Sequence, residues 1–330
     1  MDLDAFVTVH ASEWTRLDEL SRRRRLTADE ADELVELYRR ATTHLSVLRS
    51  STADAAVAGR LTMSVAQARA AVTGSGMPIR SEIARFVAVS FPAAVWRSRW
   101  WTAFSAALTL LVAAALGTWI AHDPAAFNSL GSDRMLREFA YVDFEKYYSE
   151  FSASGFAAQV WTNNAVVAAL CVALGITGVG TLSTLLVNAL NLGVAAGIMA
   201  HYDRLGLFFA LITPHGLLEL TAVFVAAGAG LHLFWSWIRP GRRPRGRALA
   251  EEGRAMITVA LGLVGVLFVS GIVEAFVTPS PLPTWARIGI GALVWLAFLG
   301  YVTVLGRRAV RAGETGDVTA DVAGDVGRTA

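Results

Sequence analysis

Residues 101–121 read WTAFSAALTLLVAAALGTWIA, a run without a single charged side chain. A helix rising 1.5 Å per residue needs about 20 mostly apolar residues to cross about 30 Å of hydrocarbon, so this stretch predicts a membrane-spanning helix. Trp100, Trp101 and Trp119 fall near its ends, where indole rings anchor a helix at the lipid–water boundary. Comparable runs lie at roughly 161–180, 182–200, 214–238, 255–277 and 285–306. The expectation is an all-α, polytopic membrane protein: a transmembrane domain over 96–311 with about six helices, preceded by a soluble helical bundle at 1–95.

Composition agrees with two solvents in one chain. Hydrophobic residues make up 54% of the 330 positions, above the 45 to 50% usual in soluble domains, yet the first 95 residues are rich in charge. In residues 2–20, Phe6, Val9, His10, Trp14, Leu17 and Leu20 recur at helical spacing and predict one apolar stripe. After the run Arg22 to Arg25, Thr27 with Glu30 three residues on reads as a capping box. It opens a second helix whose inner face is Leu34, Leu37, Tyr38, Ala41, Leu45 and Leu48. An Ala-rich helix follows to about Val72 and stops at Gly74, Gly76 and Pro78, and an amphipathic segment then reaches Trp96. The N-terminus has no apolar core of signal-peptide length, so the first spanning helix is expected to direct insertion. Cys171 is the single cysteine, which excludes an intramolecular disulfide.

Orientation follows from arginine. Loops near helix ends on the cytoplasmic side carry excess Lys and Arg; here the basic stretches are Arg97 and Arg99, Arg239 to Arg254, and Arg307, Arg308 and Arg311. With six helices these share one side, which places both termini in the cytoplasm. The outer loop at 122–159 has a net negative balance, and Phe144, Tyr147, Tyr148 and Phe151 within it fall at helical spacing. They read either as a helix lying aromatic side down in the outer interface or as a surface for an extracytoplasmic partner. The polar tail 312–330 reads as disordered.

Polar residues inside the apolar region are candidate functional groups. Asn163 and Asn164 open the second span; Asn188 and Asn191 lie in the third beside Gly193 and Gly197, a small-xxx-small pattern that permits close helix contact. In LGLFFALITPHGLLE, residues 205–219, Pro214 with Gly216 predicts a break in the helix: proline cannot donate to the preceding turn and disfavours helical geometry at Thr213. His215 and Glu219, four apart, share one face of the restarted helix and can pair, ligate or exchange protons. Glu274, His201 and Asp203 are expected near the same outer side. Two ligands on one helix do not make a metal site without a third, no HExxH motif is present, and no cofactor is expected. P-loop and GxSxG signatures are absent from the sequence.

The N-terminal FVTVHASEWTRLDEL and ELVELYRRATTHL, the pair Asn163 and Asn164, and above all FFALITPHGLLEL resemble the stage II sporulation protein M family of integral membrane proteins, in its actinobacterial type. The resemblance runs from about Met1 to Trp237. It implies a non-enzymatic membrane scaffold, since the family's namesake recruits peptidoglycan-degrading partners to the engulfing septal membrane. The partners so implied are the lipid bilayer and membrane or cell-envelope proteins, with no role for nucleic acid. Two other readings of the residues stay open: a transporter or channel with a polar site at the broken helix, and an intramembrane hydrolase using His215, Glu219 and Glu274.

Overall fold

A computed structural model of the chain describes residues 3–23, 26–50, 55–72, 79–147 and 164–317. The protein is all-α over these residues and divides into two compact units, Met1–Ile83 and Ala84–Ala330.

The first unit is built from α1 (Leu3–Arg22), α2 (Ala28–Ser50) and α3 (Ala55–Val72). The capping box forms: the Thr27 backbone N–H donates to Glu30 Oε2 at 3.0 Å and the Glu30 N–H donates to Thr27 Oγ1 at 3.3 Å. Leu17, Leu20, Leu34, Ala41, Leu45, Leu48, Leu61 and Ala68 form the core. Val9, expected on the buried stripe, is 69% exposed. Beside it lies a polar junction in which Trp14 Nε1 donates to His44 Nδ1 at 3.3 Å and the His10 and His44 rings meet tilted, 4.0 Å apart.

The second unit begins earlier than the apolar runs suggest. Phe91, Ala94 and Val95, on the amphipathic segment read as the end of the N-terminal bundle, are buried in the core of the membrane unit. The apolar helices are α4 (Arg99–His122), the short α5 (Asn164–Ala173), α6 (Val179–His201), α7 (Leu205–Ile238), α8 (Arg245–Ile272, prolonged by a π-type turn to Val277) and α9 (Thr284–Tyr301, prolonged to Arg311). Five of them are long and apolar enough to cross a membrane. Large side chains such as Leu111, Val187, Phe268 and Leu293 stand exposed on their outer faces, as lipid-facing residues do.

The second of the six expected spans is shorter than anticipated: α5 accounts for ten described residues of the stretch 161–180. It gives way to a tight turn at Gly175–Thr177 and to Gly178 at φ 65°, a left-handed conformation that suits glycine. The chain thereby reverses within the apolar region.

Close approaches fix the direction of each helix. A Cβ on Gly193 would meet the Ala113 carbonyl oxygen at 2.9 Å, and one on Gly197 would meet Ile120 Cβ at 2.8 Å, so α4 and α6 run parallel with their backbones almost touching. In contrast, Gly228 packs on Thr102 while Phe208 clusters with Ile120, so α7 runs antiparallel to α4. Two parallel helices require a return pass between them. The described part of that pass is α5, whose Cys171 carbonyl accepts from Thr181 Oγ1 at 3.0 Å.

At the far end of α4, Asp123 caps a short helix, accepting from the Ala125 and Ala126 amides at 2.8 and 2.9 Å. Residues 124–147 form a compact cap there, with Phe127, Leu136 and Phe144 packed on Ile120, Met199 and Phe208. At the near end, the buried Glu252 carboxylate pairs with Arg97, with Arg243 at 3.5 Å and with His232 at 3.6 Å. Residues 312–317, expected in a disordered tail, fold back against this end: Asp317 pairs with Arg254 at 2.6 Å, and Gly316 adopts φ 79° against Ala94. Residues 318–330 lie outside the described part.

Candidate functional site

The central helix of the membrane unit is α7, most of whose residues are buried. The break expected at Pro214 and Gly216 does not occur: α7 is continuous over 34 residues with Pro214 inside it. Proline leaves one carbonyl of the preceding turn without its usual donor, and neighbouring helices make this tolerable inside a membrane. The carbonyl so released is that of Ala210, four residues earlier; the closest approach of α9 falls on the carbonyl of the proline itself. Gly291 sits directly on the Pro214 carbonyl, where a Cβ would lie 1.9 Å from the oxygen. Gly216, far from breaking the helix, clears room for the Ile212 side chain, which a Cβ would approach to 2.7 Å.

Continuity of α7 sets His215 and Glu219 one turn apart on a buried face, at 4% and 8% exposure. Across from them, the π-type turn at the end of α8 brings in Glu274, 2% exposed. His215 Nε2 lies 3.6 Å from Glu274 Oε1. The other ring nitrogen, Nδ1, is 3.2 Å from Thr278 Oγ1, and Ser270 Oγ donates to the His215 carbonyl at 3.1 Å. One donor atom from each of His215, Glu219 and Glu274 falls within 4.8 Å of the others. The set that sequence spacing left one member short is thus completed from a different helix.

The remaining polar candidates do not join this cluster. Asn164 is half-buried on α5, Asn188 half-buried and Asn191 exposed on α6, and neither α6 amide bonds to the three residues. His201 instead stacks on Phe127 at 3.7 Å, with Nδ1 3.3 Å from the Ala121 carbonyl oxygen. Asp203 occupies the tight α6–α7 turn at φ 58°. Asn163, Tyr148 and Phe151 lie outside the described residues, as does the side chain of Tyr147. Phe144, read as part of a helix facing lipid or a partner, turns inward: it is buried and stacks on Phe208 at 5.6 Å. Its helical spacing with the later aromatics carried no information about which face packs on α7.

An apolar cavity of about 440 Å³ opens between α4, α6, α7 and α9, lined by Leu110, Phe208, Ile212, Gly216, Phe224 and Trp295 among others. None of the three clustered ionisable side chains lines it. Sequence reading missed two features. Thr278 and Ser270, which hold His215, are ordinary residues in sequence; and Glu252, in what read as a topogenic basic loop, is the buried anchor of the opposite end.

The architecture defines a multi-pass α-helical membrane protein whose central proline-bearing helix carries a buried His–Glu cluster. The profile of the family described as Stage II sporulation protein M matches residues 106–279, more than half of the chain and inclusive of that cluster. The chain belongs to the Stage II sporulation protein M family. Residues 4–74 match a second family, described as a domain of unknown function (DUF8413). An uncharacterized protein of Methanocaldococcus jannaschii is 30% identical over 124 residues, which span 37% of this chain and 70% of the archaeal protein. No solved structure matches the chain.

Proposed function

We propose that this protein is a non-enzymatic membrane scaffold that gathers cell-envelope proteins engaged in peptidoglycan remodelling, with both termini in the cytoplasm. The observation that carries the reading is family membership over the helices that form the site. The geometry lends support. The three ionisable side chains are buried at 8% exposure or less, which suits a place in the packing of α7 and α8 better than meeting a substrate. The motive for a transporter was a broken helix, and α7 is unbroken.

Orientation is supported by the ion-paired end of the unit. Arg97, Arg243 and Arg254 gather there, and the rule of positive cytoplasmic loops assigns that end to the cytoplasm. On the other side, the acidic cap offers the exposed Met135, Tyr141 and Val142 to a partner, in place of the buried Phe144. The test is affinity purification from crosslinked, gently solubilised membranes with quantitative mass spectrometry. Enrichment of peptidoglycan-active envelope proteins is expected. Recovery of the chain alone, at high crosslinking yield, overturns the reading.

A further inference from the structure

His215, Glu219 and Glu274 have the chemistry of a ligand set as well as that of a packing contact. The 3.6 Å between His215 Nε2 and Glu274 Oε1 is close to the about 3.4 Å that separates two ligands on a tetrahedral ion bound at about 2.1 Å. His215 is held from behind, with Nδ1 at 3.2 Å from Thr278 Oγ1. When Nδ1 carries the proton, Nε2 turns its lone pair toward the carboxylates, the arrangement by which a partner on one ring nitrogen orients a metal-binding histidine.

Among the described residues the carboxylates find no hydrogen-bond donor within bonding distance. Glu219 is 8% exposed, and among the described residues no hydrogen-bond donor or arginine reaches it. Among the described residues, Glu274, 2% exposed, has His215 at 3.6 Å as its ion-pairing neighbour. Leaving two carboxyl groups buried together and unpaired is costly. A divalent cation between them cancels both charges and satisfies all three side chains at once.

We propose that His215, Glu219 and Glu274 bind one divalent first-row transition-metal ion, for which zinc is the best match. A mixed imidazole and carboxylate set suits borderline cations, and three protein ligands leave a fourth position for water. The ion would clamp α7 to the end of α8, beside the Gly291–Pro214 contact. This inference does not depend on the scaffold reading; a scaffold with or without the ion remains a scaffold.

The test uses the full-length chain purified in mild detergent without chelators, with metal content measured by inductively coupled plasma mass spectrometry. About one zinc per chain is expected. After stripping, the protein should take up one cobalt(II) ion, seen by its visible absorption, and its melting temperature should rise on adding zinc. Glu219→Gln and Glu274→Gln should weaken zinc binding by more than the roughly 10- to 100-fold that loss of a supporting contact costs; Thr278→Val should fall within that range, and His201→Gln should leave binding unchanged. A monodisperse wild-type chain that is metal-free as purified, and that neither binds zinc or cobalt nor is stabilised by them, overturns the proposal. Because the wild-type titration decides the matter, a variant that fails to fold does not obscure it.

Discussion

Gly291 of α9 rests on the carbonyl of Pro214 in α7, so closely that a Cβ would come within 1.9 Å of the oxygen. This contact seats α9 against α7 one residue before His215.

Substituting Gly291 therefore separates two backbones. Gly291→Ala should lower the melting temperature in detergent by the equivalent of about 1 to 3 kcal/mol, the usual cost of overpacking. Gly289→Ala is the control, since a Cβ there meets nothing within 4 Å. Equal melting temperatures for the two variants would show that the α7–α9 contact is looser than described.

The parallel course of α4 and α6 predicts the topology. With Cys171 replaced by Ala, single cysteines at Ser129 and Gly241 should label from opposite sides of the membrane: Ser129 in the cap from outside, Gly241 in the α7–α8 loop only after permeabilisation. Labelling of both from one side would remove the return pass through α5.

These two cases mark what the sequence made legible. Long apolar runs announce themselves because lipid tolerates little else, and five of the six expected spans are long helices. The exceptions have local physical causes. The run 161–180 looked uniform, yet the close approach of Gly175 to Gly230 and the left-handed Gly178 turn the chain partway through it. Pro214 reads as a break by the local rule, yet α7 continues through it over 34 residues. At the site, the spacing of His215 and Glu219 was readable as a shared helix face, whereas the pairing with Glu274 depends on how α8 packs and ends in a π-type turn. Phe144 was misread for the same reason: periodicity finds a face without naming the neighbour.

In the N-terminal unit, Thr27→Ala removes one half of the capping box. The expected loss is about 1 kcal/mol, read as roughly fivefold faster amide exchange in the first turns of α2 in the full-length chain. Unchanged exchange there would mean that packing alone holds the start of α2.

The same unit should be sensitive to mild acid. Burial, with help from the neighbouring His10, holds the His44 imidazole below its ordinary value of 6.5. A depressed pKa means that the unfolded chain takes up the proton first, so the contribution of neutral His44 is complete above about pH 6.5 and is lost as pH falls through the folded value. Protection of α1 and α2 from exchange, corrected for intrinsic rates, should decline as the pH falls below about 6.5, and His44→Phe should flatten that decline. An unchanged slope in the variant would assign the effect to other groups.

In a scaffold the buried cluster serves the architecture of the membrane unit. The direct measurement replaces His215 and Glu219 by Ala, singly and together, and follows membrane abundance, melting temperature and recovery of envelope partners alongside the cellular envelope phenotype. The account predicts that all four fall together. A chain that stays abundant, stable and fully partnered while the phenotype of a null strain appears would contradict it, and would make His215 and Glu219 a working chemical site.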